Sequence, residues 1–110
     1  MSFITEWDKV AKEVHQTAVE KGWYDERGER NPGEVIALMH SELSEALEAL
    51  RTGNGLSDKI PEFMGVEEEF ADCVIRIMDY SAAKGYRLAE ALMAKIEFNK
   101  TRPPKHGKRF

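Results

Sequence analysis

Apolar residues recur every three or four positions in four stretches of this 110-residue chain, which is the period of an α-helix. No stretch carries the alternation of apolar and polar residues that a half-buried strand would show. We therefore predict an all-α protein with helices over residues 5–21, 32–51, 66–84 and 87–100, the third with an alternative start at Glu62. Short connections favour antiparallel neighbours, so the predicted architecture is a small four-helix bundle.

Two of the helix starts carry sequence signals. Asn31 followed by Pro32 is typical of a capped N-terminus with proline at the first helical position. Thr5 with Asp8 three residues later predicts a capping box for the first helix. Of the two, the start of the second helix is the clearer.

The length indicates one domain over residues 1–110, ending in a basic tail at 103–110 that Pro103-Pro104 should hold extended. A chain this short has a small core, which favours burial of helix faces against a second copy. The net charge is −4, yet residues 95–110 hold six Lys or Arg against one acid. An acidic body with a basic tail suits a small polyanion better than nucleic acid, which the body would repel.

The apolar runs, the N-terminal residues and the single cysteine bear on where the protein is found and on its redox state. No apolar run is long enough to span a membrane, and the N-terminal residues do not resemble a secretory signal. Cys73 is the only cysteine, so an intramolecular disulfide is excluded. We expect a cytoplasmic protein without membrane contact, with Cys73 as a small core residue.

Four carboxylates are the strongest functional signal. Glu42 and Glu45, and then Glu69 and Asp72, are each spaced i, i+3 on a predicted helix and border its apolar stripe. Two facing pairs would make an all-oxygen site suited to Mg²⁺, with Mn²⁺ as a substitute, and the lack of a paired His or Cys argues against zinc. Arg76 is predicted to pair with Asp72 one turn away. The alternative is that the acids are solvated, because Glu is a good helix former.

A basic face occupies the last predicted helix. Lys95, Asn99 and Arg102 are spaced i, i+4, i+7, so the two cations could bind phosphate oxygens while Asn99 contacts a base or sugar. The alternative is a cationic last turn favoured by the helix dipole. Trp23 and Tyr24 could stack on a nucleobase or pack their loop against the bundle.

The sequences ELSE at 42–45 and EFAD at 69–72 resemble the E-x-x-E … E-x-x-D signature of the MazG-like family, the all-α nucleoside triphosphate pyrophosphohydrolases. The resemblance extends over 33–53 and 68–110 and includes KIEFNKTR at 95–102. It implies a helical fold that oligomerises, as a homodimer or a homotetramer. One departure is Ser41, which stands where many members have a further Glu.

The resemblance also implies a site and a reaction. A nucleoside triphosphate would be hydrolysed to the monophosphate and pyrophosphate. On chemical grounds such a hydrolysis needs a carboxylate to accept the proton of the attacking water, and our candidate is Glu45. The implied Mg²⁺ ligands are Glu42, Glu45, Glu69 and Asp72, and the implied nucleotide contacts are Lys95, Asn99 and Arg102. Two alternatives stay open: a non-catalytic metal or nucleotide binder on the same fold, and a small helical protein-interaction module.

Overall fold

The computed structural model describes residues 2–110, which form four α-helices and one short 3₁₀ turn. No β-strand occurs among them, and a single isolated antiparallel bridge joins Leu56 to Met64. The predicted all-α class is therefore confirmed. The elements are α1 (Phe3–Glu20), α2 (Pro32–Arg51), α3 (Gly65–Lys84), α4 (Leu88–Lys100) and the 3₁₀ turn Pro104–Gly107.

The helix starts follow from their caps. The α2 helix begins as predicted, with the side chain of Asn31 accepting a hydrogen bond from the backbone N–H of Glu34 at 3.0 Å. The α1 helix begins two residues earlier than predicted, because Ser2 caps it by accepting a bond from the N–H of Thr5 at 3.1 Å. The predicted capping box of Thr5 with Asp8 is wrong, since Thr5 already lies inside the helix.

The tail after α4 is not extended throughout. Lys105 and His106 both have a φ of 55°, in the left-handed region, and the chain turns there. The N–H of His106 donates to the carbonyl of Pro103 at 2.8 Å, and the N–H of Lys108 donates to the carbonyl of Lys105 at 2.9 Å. The two prolines end the helix as predicted, but a local turn replaces the predicted extended segment.

The α3 helix is the centre of the fold, because both α1 and α2 pack against it. Gly65, the first residue of α3, allows a close approach to α2. A Cβ atom placed there would lie 3.3 Å from the Cβ of Ala49 and 3.5 Å from the carbonyl oxygen of Gly55. The loop between the two helices closes on the same point, since the N–H of Gly65 donates to that Gly55 carbonyl at 2.8 Å.

One chain buries little apolar surface. Its accessible surface is 8463 Å², whereas a compact monomer of this mass exposes about 6,200 Å². The Cα radius of gyration is 16.2 Å, against about 13 Å for a compact domain of this length. Leu92 and Ile96 on α4 are 38% and 41% exposed within the single chain, so α4 leaves much of its apolar surface uncovered in a monomer. The buried apolar side chains are Ala11, Val35, Ala46, Cys73, Met78 and Ala89.

Candidate metal and anion site

A cavity of about 410 Å³ is bordered by residues of α1, α2 and α3 and of the two loops that precede α2 and α3. All four predicted carboxylates line it, although they come from two different helices. Four cations line it as well, so acidic and basic groups share one cavity. The acids are Glu42, Glu45, Glu69, Asp72 and Asp79, and the cations are Lys21, Arg30, Lys59 and Arg76.

Three of the four acids converge. Glu42, Glu69 and Asp72 each present one carboxylate oxygen, and these three oxygens lie within 4.8 Å of one another. The Oε2 atoms of Glu42 and Glu69 are buried and have no hydrogen-bond partner among residues 2–110. Glu45 is exposed and lies outside this group of three, at the border of the cavity. Buried oxygens without partners are costly, and a bound cation would satisfy them.

The electrostatics of the group follow from its burial and crowding. Burial raises the pKa of Glu69 to about 8, and the neighbouring carboxylates of Glu42 and Glu45 contribute to this rise. Burial also raises the pKa of Asp72, and nearby carboxylates again add to the effect. Without a cation, Glu69 is therefore mostly protonated at neutral pH.

Arg76 binds across the helix pair, not along its own helix. Its Nε atom donates a hydrogen bond to Oε1 of Glu42 at 3.1 Å, and its Nη2 atom lies 3.1 Å from the same oxygen. The predicted pairing of Arg76 with Asp72 is wrong in this respect, because the guanidinium reaches α2. The contact gives Oε1 of Glu42 a hydrogen-bond partner and fixes the orientation of the carboxylate. It therefore also fixes the direction of the other oxygen, Oε2.

The loop between α2 and α3 is ordered by a buried serine. The hydroxyl of Ser57 donates to Glu68 and accepts bonds from the N–H groups of Lys59 and Ile60, each at 3.1 Å. The Nζ atom of Lys59 lies 3.7 Å from an oxygen of Glu68. This loop thus holds Lys59 at the cavity.

A second polar cluster pins the loop between α1 and α2 to α3. Asp79 is buried on α3, and its Oδ2 atom accepts a hydrogen bond from the hydroxyl of Tyr24 at 2.8 Å. Its Oδ1 atom lies 2.8 Å from Nδ1 of His15 on α1. Burial and the bond to Asp79 raise the pKa of the Tyr24 hydroxyl well above its usual range. Tyr24 therefore packs its loop against the bundle, which was one of the two predicted alternatives.

Trp23 lies at the cavity and contacts two of its cations. The guanidinium carbons of Arg30 and Arg76 lie 5.1 and 5.4 Å from the centre of its ring system, within the range of cation–π attraction. The indole is 47% exposed, so part of it faces solvent.

The predicted basic face, with Lys95 and Asn99 on α4 and Arg102 just beyond its end, is separate from the acids within one chain. Lys95, Asn99 and Arg102 are absent from the described residues that line the cavity. Lys95 and Arg102 instead both lie near one aromatic ring, with Nζ and Cζ respectively 4.7 and 5.6 Å from the centre of Phe98. A single copy of the chain does not bring the acidic and basic faces together.

The sequence interpretation missed Arg30, Lys59 and Asp79 as cavity residues. Asp79 contacts His15, which is 64 positions away in the chain, so no local pattern marks either residue. Arg30 directly precedes the Asn31-Pro32 helix start, so the sequence places it at the N-terminus of α2. That position was the only local indication of where Arg30 would lie.

Comparisons of the chain with protein-family models, curated proteins and solved structures found no match. Within residues 2–110, no helix combines the length and apolar character needed to cross a membrane. A function for this chain must therefore be inferred from its own cavity.

Proposed function

We propose that the protein is a MazG-like, Mg²⁺-dependent nucleoside triphosphate pyrophosphohydrolase, which converts an NTP or dNTP to the monophosphate and pyrophosphate in the cytoplasm. The observation that carries the proposal is the convergence of oxygens from Glu42, Glu69 and Asp72 within 4.8 Å. The acids come from the two motifs that resemble the family signature. Cations beside them supply partners for the anionic substrate.

The donor set fits Mg²⁺, with Mn²⁺ as a substitute. It consists of hard carboxylate oxygens from both helices, and two of the carboxylates have a buried oxygen without a partner among residues 2–110. The three converging acids, when all are ionised, carry three negative charges, and the guanidinium of Arg76 that contacts Glu42 offsets one of them. A divalent ion would neutralise the remaining two. Bound there, the ion would supply Lewis acidity toward phosphate oxygens and a water of lowered pKa.

The side chains then divide the remaining work. Attack by a water oxygen at the α-phosphorus forms one P–O bond and breaks the bond to the bridging oxygen, which leaves on pyrophosphate with its electron pair. Glu45, exposed at the cavity border, accepts the water proton. Ser41 is not a substitute base, because its hydroxyl donates to the backbone carbonyl of Leu38 at 2.6 Å.

The α4 residues act in an oligomer under this proposal. Lys95, Asn99 and Arg102 lie outside the cavity of their own chain, so they would contact the nucleotide of a second copy. The exposed apolar side chains of α2 and α4 supply surface for a homodimer or homotetramer. Oligomerisation would thus join the two halves of the site.

A product assay tests the proposal. The protein is incubated with Mg²⁺ and each canonical NTP and dNTP, and the products are separated. Monophosphate with pyrophosphate is expected, whereas diphosphate with phosphate would contradict the proposed bond cleavage. Glu69→Gln should abolish turnover without unfolding the protein, and Glu48→Gln, an exposed acid elsewhere on α2, should keep it.

The exposed apolar faces favour one other candidate, a helical protein-interaction module. Leu43, Leu47 and Leu50 are about half exposed and share one face of α2, which could bind a partner. Under that alternative the acids bind nothing. Mg²⁺ would leave the melting temperature unchanged, whereas a specific site must raise it.

A further inference from the structure

Among the cavity cations that form ion pairs, Arg30 is the most enclosed. Its side chain is 7% exposed, compared with 24% for Arg76 and 83% for Lys59. A guanidinium removed from water to this degree needs hydrogen-bond acceptors for its N–H groups. The contacts of Arg30 therefore indicate whether the protein itself supplies them.

The acceptors present leave one nitrogen of Arg30 without a partner. Its ion pair within residues 2–110 joins Nη1 to Oδ2 of Asp79 at 3.8 Å, which is too long for a hydrogen bond. That oxygen already accepts the hydroxyl of Tyr24, and the other oxygen of Asp79 lies against His15. The Nη2 atom of Arg30 is buried and has no hydrogen-bond partner in the described part of the chain.

The surroundings nevertheless hold the guanidinium in place. Its carbon lies 5.1 Å from the ring centre of Trp23 and 5.4 Å from that of Tyr24. Asp79 adds a compensating charge from α3. Arg76 differs in kind, because Glu42 already engages its Nε and Nη2 atoms. Arg30 is thus a fixed cation with unused donors, in the same cavity as the converging carboxylates.

We propose that Arg30 binds the polyphosphate of the substrate, with the unpartnered N–H groups of its Nη2 atom donating to phosphate oxygens while the anion is held at the acidic group. This inference rests on the proposed function and adds an anion contact from the same chain as Glu42 and Glu69. Phosphate suits the forked donors of a guanidinium better than it suits a lysine point charge. A first anion contact is then available before any residue of α4 takes part.

The test compares variants of Arg30 with a matched arginine of the same loop. Arg27 is 81% exposed and has its ion pair with Glu29, so Arg27→Gln is the control. Calorimetry with Mg²⁺ present measures the affinity for inorganic tripolyphosphate and for a non-hydrolysable NTP analogue. Arg30→Gln should weaken both by about 10- to 100-fold, the usual loss for a hydrogen bond to a charged group, and Arg27→Gln should weaken neither.

Arg30→Lys keeps the charge but loses the fork, so it should weaken both ligands less than Arg30→Gln does. It also carries the test if Arg30→Gln does not fold. The rise in melting temperature with Mg²⁺ alone should persist in each folded variant, since the ion pair of Arg30 is with Asp79 and not with the three converging carboxylates. Wild-type affinity for tripolyphosphate in the folded variants, including a loss confined to the NTP analogue, would overturn the assignment.

The two proposals fail in distinguishable ways. If the wild type binds tripolyphosphate through Arg30 but turns over no NTP or dNTP, the enzymatic proposal falls and the anion site stands. If turnover is present and the KM of Arg30→Gln and Arg30→Lys matches the wild type, the anion site falls and the enzyme stands. A wild type that binds neither Mg²⁺ nor tripolyphosphate removes both.

Discussion

The Nε atom of Arg76 on α3 donates a hydrogen bond to Oε1 of Glu42 on α2, at 3.1 Å, while Oε2 of that carboxylate has no partner among residues 2–110. The pair crosses the interface between the two helices that carry the acid motifs. Both side chains are more than two-thirds buried. Arg76 therefore compensates part of the charge of Glu42 and also fixes the direction of its free oxygen.

Removal of this guanidinium should destabilise the metal-free protein. Arg76→Gln leaves a buried carboxylate without its cation, which costs about 3 kcal/mol of unfolding free energy. Urea unfolding in EDTA measures the loss. Arg87→Gln is the control, because Arg87 is 80% exposed and its pair with Glu90 should contribute about 0.5 kcal/mol or less. Equal losses in the two variants would contradict the assigned role of Arg76.

The stability of the metal-free protein should fall as pH rises. Glu69 has a pKa of about 8 in the folded chain against 4.5 as its ordinary value, so between these values the folded state binds more protons than the unfolded state. The free energy of unfolding then declines across this window. We expect a drop in melting temperature on the order of 10 °C or more between about pH 5 and pH 8.5. Glu69→Gln should remove most of the drop, with a smaller part left from Asp72, whose pKa burial also raises. An unchanged slope would contradict burial of Glu69 as the main cause.

Metal binding and proton transfer should separate at Glu45. It lies outside the three converging acids, so Glu45→Gln should keep the rise in melting temperature with Mg²⁺. Loss of the base should lower kcat by about 100-fold or more. Glu42→Gln is the comparison and should lose the Mg²⁺ response. If Glu45→Gln loses that response too, Glu45 is a ligand and the base lies elsewhere.

Two inactive variants should restore activity when mixed, if α4 serves the site of a second copy. One chain carries Glu69→Gln and the other Arg102→Gln, and each alone is expected to be inactive. In mixed homodimers, one of the two sites then has both wild-type residues, giving about a quarter of full activity for random exchange. No recovery after verified subunit exchange would show that Arg102 does not act across the interface.

The apolar face of α2 should support the oligomer. Leu47 is 56% exposed in the single chain, and Leu47→Glu would place a charge on the surface proposed to be covered. Light scattering should give the monomer mass for this variant and a multiple of it for the wild type. Val19→Glu, at a 49% exposed position on α1, tests whether any added charge has this effect. A monomeric wild type would contradict the oligomer directly.

Local sequence predicted the helices well where the chemistry was local. The start of α2 depends on two adjacent residues, the cap Asn31 and the first helical residue Pro32, and the structure has that start. The predicted start of the first helix was wrong, because Ser2 and Thr5 are both residue types that can cap a helix and only the folded geometry selects Ser2. The turn at Lys105 could not be predicted, since a left-handed φ at a lysine has no sequence signal.

The candidate site likewise has a part that local sequence predicts and a part that depends on how the helices pack. The acid pairs were visible because the i, i+3 spacing places both members on one face of a helix. The partner of Arg76 was not, because it depends on how α2 and α3 are rotated against each other. Arg30 and Asp79 required three segments to come together, and that arrangement exists only in the folded chain.

The contact between Gly65 and Ala49 has a consequence for ion size. Because no side chain separates the helices there, the start of α3 lies close against the end of α2, one turn from Glu69 and two turns from Glu42. Magnesium takes metal–oxygen distances of about 2.1 Å, whereas calcium requires about 2.4 Å and more ligands. Carboxylates carried by two backbones held this near would therefore suit magnesium, the smaller ion. A larger residue at position 65 would widen the gap between α2 and α3. The preference for magnesium over calcium would then be governed by a glycine that contacts neither ion.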